Sequence, residues 1–346
     1  MKALVYRGPG NKEWAEKDKP ALQHSTDAIV RITHTTICGT DLHILKGDVP
    51  EVVEGLTLGH EGVGVVEQVG EAVSNFRAGD RVLISCITSC GRCDYCKKQL
   101  YAHCSDGGWV LGHMIDGTQA EYVRIPHADN SLYPAPAEVD PEALVMLSDI
   151  LPTGFEIGVL AGKVQPGDTV AIVGAGPIGM AVLLTAQFYS PSRIIMVDTD
   201  PARLEVSRRF GATDIVDAGS GDAVEAIMAL TGGKGVDVAV EAVGIPATFD
   251  TCQSVIAPGG RIANVGVHGK PVELRLEKLW IRNITLATGL VCTFSTPMLL
   301  QTVASGKVKP EQLVTHRFAL DDIEQAYTVF GNAAQEKAMK VILQAA

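Results

Sequence analysis

The sequence predicts an α/β chain in two parts, a β-rich unit followed by a doubly wound parallel-sheet unit. Three observations predict it. The 346 residues suffice for two domains at roughly 150 residues each. Short β-type runs broken by Gly, Pro and Asp fill the first part. From Asp168 onward apolar strands alternate with helical stretches, and a glycine turn joins the first strand to the first helix.

In the first part, strands are expected at Ala28–Thr33, Gly62–Val69, Arg81–Ile84 and Ala120–Ile125, with breaks such as Gly79-Asp80 and Pro134-Ala135-Pro136. That texture predicts a small antiparallel unit with long functional loops. The second part opens with the apolar run Thr169–Val173, a glycine turn and a helix from Pro177 to about Tyr189. A strand at Arg193–Val197 follows. Asp200 then caps a helix with Pro201 at its first position, and Gly211 can end it. Val236–Val240 and Arg261–Val265 are further strands. The tail holds expected helices near 296–305 and 321–331 and a final strand at Lys340–Leu343.

The bulk chemistry narrows the function. Hydrophobic residues make up 46% of the chain, enough for a core in each part. The net charge of −11 speaks against general nucleic-acid binding, which needs a basic footprint. No apolar run reaches the ~18 residues of a membrane span. The opening Met1–Gly8 reads into a strand and has no apolar stretch of signal-peptide type, so the expected setting is cytoplasmic.

The turn Gly174-Ala175-Gly176-Pro177-Ile178-Gly179 carries the Gly-x-Gly-x-x-Gly spacing directly between a strand and a helix. Gly174 allows the tight turn, Gly176 lets the backbone approach a pyrophosphate, and Gly179 lets helix and strand pack closely. The helix N-terminus offers N–H groups and a positive dipole end to the phosphates. The second strand ends at Asp198, about 20 residues beyond the turn, where an acidic residue meets the adenosine ribose. Its carboxylate would repel a 2′-phosphate, so NAD is expected over NADP. Arg203 stands nearby as a second ribose candidate. The competing reading is an ordinary tight turn in an α/β domain, which the strand–helix context disfavours.

Eight cysteines occur, and four of them, Cys90, Cys93, Cys96 and Cys104, cluster. Three thiols at intervals of three and a fourth eight residues later can enclose one tetrahedral ion. Four thiolates leave no open position, so the expected site is a structural zinc. An iron–sulfur cluster also uses four thiolates, and disulfides fit the expected compartment poorly.

Three further segments, Cys38-Gly39-Thr40-Asp41-Leu42-His43, Gly59-His60-Glu61 and Ser148-Asp149, are each unremarkable alone. Together with the cysteine lobe and the glycine turn, in this order and spacing, they resemble the zinc-containing medium-chain alcohol dehydrogenases over essentially the whole length. The resemblance implies a GroES-like catalytic domain at 1–153 and 290–346 and a Rossmann domain at 154–289. It implies that Cys38, His60 and Asp149 bind a catalytic zinc. Glu61 would sit beside the metal, Asp41 would orient the zinc-bound histidine, and Thr40 and His43 would relay a proton. The bland alternative for Thr40 and His43 is loop hydrogen bonding.

Asp149 stands where the animal and yeast enzymes have cysteine. The Cys/His/Asp set is similar to the bacterial secondary-alcohol branch, and Trp109 resembles a substrate-pocket residue of that branch, against the plainer role of a core aromatic. Some members of the branch lack the cysteine lobe and use NADP, whereas this chain has the lobe and Asp198. Thr153, Val243, Val265, Gly266, Gly289 and Leu290 lie where the family binds the nicotinamide half. Lys340 resembles a basic residue reaching the pyrophosphate; otherwise it is a solvated lysine.

The resemblance thus implies two zinc ions per chain, NAD, a small alcohol or ketone as substrate, and a homotetramer without nucleic-acid or membrane partners. Three function classes compete. The first is hydride transfer between a secondary alcohol and NAD. The second is the same chemistry on a polyol, threonine or a formaldehyde adduct. The third is a non-catalytic, zinc-stabilised nucleotide-binding protein, which would have no use for an open zinc position.

Overall fold

The computed structural model describes residues 1–345; Ala346, the last residue of the expected segment 290–346, lies outside the described residues. Two compact units emerge, one made of Met1–Pro152 with the chain from Cys292 onward, the other of Thr153–Val291.

In the second unit the apolar runs pair as a six-stranded parallel sheet. Its order is Asp214–Asp217, Arg193–Asp198, Thr169–Val173, Val236–Glu241, Ile256–Asn264 and Thr285–Thr288. The winding starts at Thr169–Val173, runs outward one way, then returns to that strand's other edge with Val236–Glu241. Reversals of this kind put ligand crevices at the carboxyl ends of the central strands. Residues Val170 to Val173 are all buried, as a strand covered on both faces requires. Ala171, Val173, Ile195, Val197, Ala239, Phe249 and Ile262 share one apolar cluster.

Several ends shift from expectation for local reasons. The helix from Pro177 is α-helical to Ala186 and tightens into a 3-10 turn at Gln187–Tyr189. The next helix, Pro201–Arg209, is capped as expected, the Asp200 carboxylate accepting from the amides of Ala202 and Arg203. The strand expected at Arg261 begins at Ile256. The sequence carried no sign that Gly154–Leu160 winds as a π-helix. Its glycines let it press on the helix Pro177–Ala186: a Cβ at Gly154 would stand 2.7 Å from Ala181 Cβ.

The first unit is built on the strand Ala28–Thr36, which has three antiparallel partners: Tyr122–Ile125, Gly62–Val69 and Lys340–Gln344. The sheet continues through Arg81–Ile84 to Leu132–Pro134 on one side and to Val314–Ala319 on the other. Ala28–Thr36 runs three residues past its expected end because His34, Thr35 and Thr36 pair with Gln344, Leu343 and Ile342. Two register shifts against Gly62–Val69 bend it. The C-terminal strand thereby brings Lys340 to the loops that leave Thr36 and precede Gly62. Among the described residues no helix is long and apolar enough to cross a membrane.

Candidate functional site

Cys38 ends the loop after Ala28–Thr36 and is the N-cap of the helix Gly39–Lys46. The Asp41 carboxylate reaches back to the Cys38 amide at 2.9 Å, fixing the first turn. His60 and Glu61 precede the strand Gly62–Val69, whose start is pinned by Gly62 N–H donating to Ser148 Oγ at 3.1 Å. That contact draws the neighbouring Asp149 to the same place. Ligand atoms of Cys38, His60, Glu61 and Asp149 consequently lie within 4.8 Å of one another.

The donor set can be tested against a metal. Asp149 Oδ2 is 3.7 Å from Cys38 Sγ and 3.3 Å from His60 Nε2. Two ligands of a tetrahedral zinc stand roughly 3.3–3.8 Å apart, given bonds of ~2.0–2.3 Å. His60 Nε2 faces this set, while Nδ1 faces Asp41 Oδ1 at 3.9 Å. Asp41 Oδ1 is buried and has no hydrogen bond among the described residues. An imidazole with one nitrogen on a metal and the other toward a carboxylate is the usual arrangement of a ligating histidine. The residues therefore fit zinc.

Electrostatics point the same way. Burial pushes the Cys38 thiol and the Asp41 and Glu61 carboxyls up from their ordinary values. Burial opposes protonation of His60, but hydrogen bonds with Asp149 and Cys38 carry it well above the usual imidazole range. Acidic groups crowded out of water in this way favour their charged forms only beside a cation.

Lys340 is not the solvated lysine that its sequence context allows. Its Nζ donates to Glu61 Oε1 at 3.0 Å and Oε2 at 2.8 Å, with both side chains 1% exposed. Breaking such a buried pair from one side costs about 3–5 kcal/mol. The ammonium neutralises Glu61 where it stands, still within the group formed with Cys38, His60 and Asp149.

A supporting chain escaped the sequence reading. Tyr327 O–H donates to Gln119 Oε1 at 2.8 Å, and Gln119 Nε2 donates to Asp41 Oδ2 at 3.0 Å. All three side chains are buried. Thr40 Oγ1 lies 3.7 Å from Cys38 Sγ. His43 pairs through Nδ1 with Asp48 Oδ2 at 2.8 Å. Trp109 is half-buried and stacks face to face on His113, with centroids 4.1 Å apart.

The cysteine lobe is a short loop with 3-10 turns at Cys96–Lys98 and Tyr101–His103. Cys90 and Cys96 Sγ are 4.0 Å apart, as are Cys93 and Cys104 Sγ. This is far beyond a disulfide bond of ~2.05 Å and near the ~3.8 Å edge of a zinc–thiolate tetrahedron. Amides of Cys96 and Ser105 pull the Cys93 thiol down to about 5, whereas burial pushes Cys96 up to about 12. Four thiols this close cannot all ionise without a cation, and here too the donors fit zinc.

In the parallel-sheet unit the three glycines have separable reasons. Gly174 has φ +110°, and a Cβ there would stand 2.5 Å from Val243 Cγ2. A Cβ on Gly179 would collide with the Gly174 carbonyl. A Cβ on Gly176 would meet only Arg203, at 3.9 Å, so its bareness leaves open space at the helix N-terminus rather than relieving a clash. Pro177 and Ile178 form the first turn of that helix. Asp198 ends its strand beside this turn and accepts from the Ala175 amide at 2.6 Å and the Asp200 amide at 2.9 Å. Val243, Gly289 and Leu290 are exposed, and Thr153, Val265 and Gly266 half-buried.

Two family models match the chain: the alcohol dehydrogenase GroES-like domain over residues 24–137 and the zinc-binding dehydrogenase over residues 177–305. The chain is 38% identical to an alcohol dehydrogenase of Cupriavidus necator, covering 96% of this chain and 95% of that one. It is 34% identical to the NADP-dependent isopropanol dehydrogenase of Thermoanaerobacter brockii, covering 100% of each. Among solved structures it is similar to zinc dependent alcohol dehydrogenase 2 from Streptococcus pneumonia in its apo form. There the TM-score is 0.96 at 59% identity, over 100% of this chain and 98% of that one. The β-rich unit is thus GroES-like and the parallel sheet is of Rossmann type, as expected.

Proposed function

Since this chain belongs to the zinc-dependent medium-chain alcohol dehydrogenase family, we propose that it interconverts a secondary alcohol and its ketone, with NAD as hydride carrier. One observation carries the reading: Cys38, His60, Glu61 and Asp149 converge within 4.8 Å, and since Lys340 already occupies both oxygens of Glu61, the other three supply the donor count of catalytic zinc sites. Zinc bound there would lower the pKa of a hydroxyl group placed against it, as it does for water from about 15.7 to about 7, and bound NAD would accept the hydride.

The chain's own residues supply the rest. Asp41, held by Gln119 and the Cys38 amide, keeps His60 turned with Nε2 toward the metal. Thr40 Oγ1, beside Cys38, takes the hydroxylic proton. His43, with Nδ1 committed to Asp48, keeps Nε2 for passing that proton on. Trp109, stacked on His113, offers an apolar wall to the substrate. The four cysteines hold a second zinc with no open position and stiffen their lobe.

For the cofactor, we assign the pyrophosphate to Gly174, Gly176, Pro177, Ile178 and Gly179, and the adenosine ribose to Asp198 with Arg203 alongside. Thr153, Val243, Val265, Gly266, Gly289 and Leu290 are assigned to the nicotinamide half. The carboxylate of Asp198 supports NAD over NADP. Asp198→Gly should shift the NAD/NADP ratio of kcat/KM toward NADP by about 100-fold, or roughly 2.7 kcal/mol; an unchanged ratio would remove Asp198 from the ribose.

Domain limits of 1–153 with 290–346 and 154–289 are supported by the compact units. A homotetramer is supported by the exposed apolar run Leu274, Leu276, Trp280 and Ile281 next to the edge strand Thr285–Thr288. A cytoplasmic setting is supported by the clustered cysteines, which can bind zinc only while they are kept reduced. The deciding experiment is an NAD-reduction screen over primary alcohols, secondary alcohols, polyols and threonine, with a chelator control. Chelator-sensitive turnover highest on secondary alcohols is expected; a clear preference for polyols or threonine would overturn the substrate assignment, and no turnover would overturn the enzyme reading.

A further inference from the structure

The strand Val236–Glu241 ends in a carboxylate that no assignment above uses. Glu241 is 0% exposed. An acidic side chain in that position needs partners, and its hydrogen bonds fall on one oxygen only. Glu241 Oε1 accepts from the amides of Val243 at 3.0 Å and Gly244 at 2.9 Å, and from Thr248 Oγ1 at 2.6 Å. Oε2 has no hydrogen bond among the described residues and lies 3.5 Å from His268 Nε2. The same residue's backbone carbonyl accepts from the amides of Val265 at 2.8 Å and Gly266 at 3.1 Å.

One residue therefore holds two loops, 242–245 through its side chain and 265–268 through its backbone. The loops are also locked to each other and to the phosphate turn. A Cβ on Gly244 would collide with the Val267 carbonyl, one on Gly266 with Glu241 Oε2, and one on Gly174 with Val243. His268 closes the cluster: its Nε2 donates to Asn264 Oδ1 at 2.8 Å, and Asn264 Nδ2 donates to the Gly266 carbonyl at 3.0 Å. The exposed side chains that this scaffold carries are Val243, Ile245 and Val267.

We propose that Glu241 is a positioning residue for the nicotinamide end of the dinucleotide, setting the height and spacing of the loops 242–245 and 265–268. It touches neither cofactor nor substrate and acts through the amides it fixes. The proposal rests on the dinucleotide reading above, since loops without that ligand would have nothing to present.

The physical basis is the asymmetry of buried hydrogen bonds. Removing the acceptor strands two buried amides and a hydroxyl at once, and the loop relaxes to recover partners. The adenosine end of the site, at Asp198, stands on the separate strand Arg193–Asp198 and should feel that change far less.

The test measures binding on the whole, zinc-loaded chain, with NADH and with ADP-ribose, which lacks the nicotinamide ring. Glu241→Ala should weaken NADH binding by about tenfold or more while leaving ADP-ribose within about twofold. Glu241→Gln retains an acceptor oxygen and should recover most of the NADH affinity. If the Ala variant does not fold, Glu241→Asp, one methylene shorter, carries the comparison and should show the same selective loss. Equal loss of both ligands, or no loss of NADH in a folded variant, would overturn the proposal. Should the unmodified chain bind ADP-ribose and the dinucleotides not at all, the cofactor reading itself would fall first.

Discussion

The two candidate metal centres differ in how the chain assembles them. The cysteine lobe takes all four donors from residues 90–104, within one loop, and no other element is needed to close it. The Cys38/His60/Asp149 trio draws on a helix N-cap, a strand entrance and the residue before another helix. Its surroundings come from farther still, Lys340 from the last strand and Tyr327 from the last long helix. A local centre can be closed and self-sufficient, whereas an open one must be held in shape by elements that do not bind the metal.

That contrast can be broken at several points, taken here from the largest effect on turnover to the smallest. Asp149→Ala removes a donor from the trio, and kcat/KM should fall by about a thousandfold or more, roughly 4 kcal/mol or greater; measurable activity within tenfold of the parent would sink the assignment. Lys340→Met leaves the Glu61 carboxylate buried and unpaired. Stability measured in urea should drop by about 3–5 kcal/mol, with much of it restored in the double variant Lys340→Met/Glu61→Gln. Turnover should fall as well, because the Glu61 carboxylate beside the donors is no longer occupied by an ammonium; a Lys340→Met chain as stable as the parent would contradict the buried pair.

Tyr327→Phe cuts only the outermost link to Asp41. A loss of about 1 kcal/mol in stability and a few-fold in kcat is expected, and an effect as large as that of Asp149→Ala would mean that Tyr327 does more than support. Cys93→Ser should act in the opposite sense to the first variant. It should release the lobe's zinc and lower the melting temperature, yet leave kcat per folded chain within about twofold at low temperature. Complete loss of turnover there would show that the two centres are not independent.

The same contrast explains what the sequence disclosed. Contiguous features were readable: the cysteine spacing, the glycine turn, the Asp200 cap and the strands Thr169–Val173 and Gly62–Val69. Each depends on residues close in the chain. The extension of Ala28–Thr36 was not readable, because its partner is the C-terminal strand. The burial of Lys340 was unreadable for the same reason. Nothing in its local sequence announces a carboxylate 279 residues away. The π-helix Gly154–Leu160 depends on how its glycines meet another helix, which periodicity cannot report. Gln119, Tyr327 and Glu241 carry no motif, and a buried polar residue looks like any other until its partners are seen.

One closed and one open zinc per chain is a statement about metal content, which elemental analysis reads without recourse to activity. Elemental analysis after exhaustive dialysis should give about two zinc per parent chain and about one in Asp149→Ala, the remaining ion being lost in Cys93→Ser combined with it. One zinc in the parent chain, or two retained in Asp149→Ala, would contradict the claim.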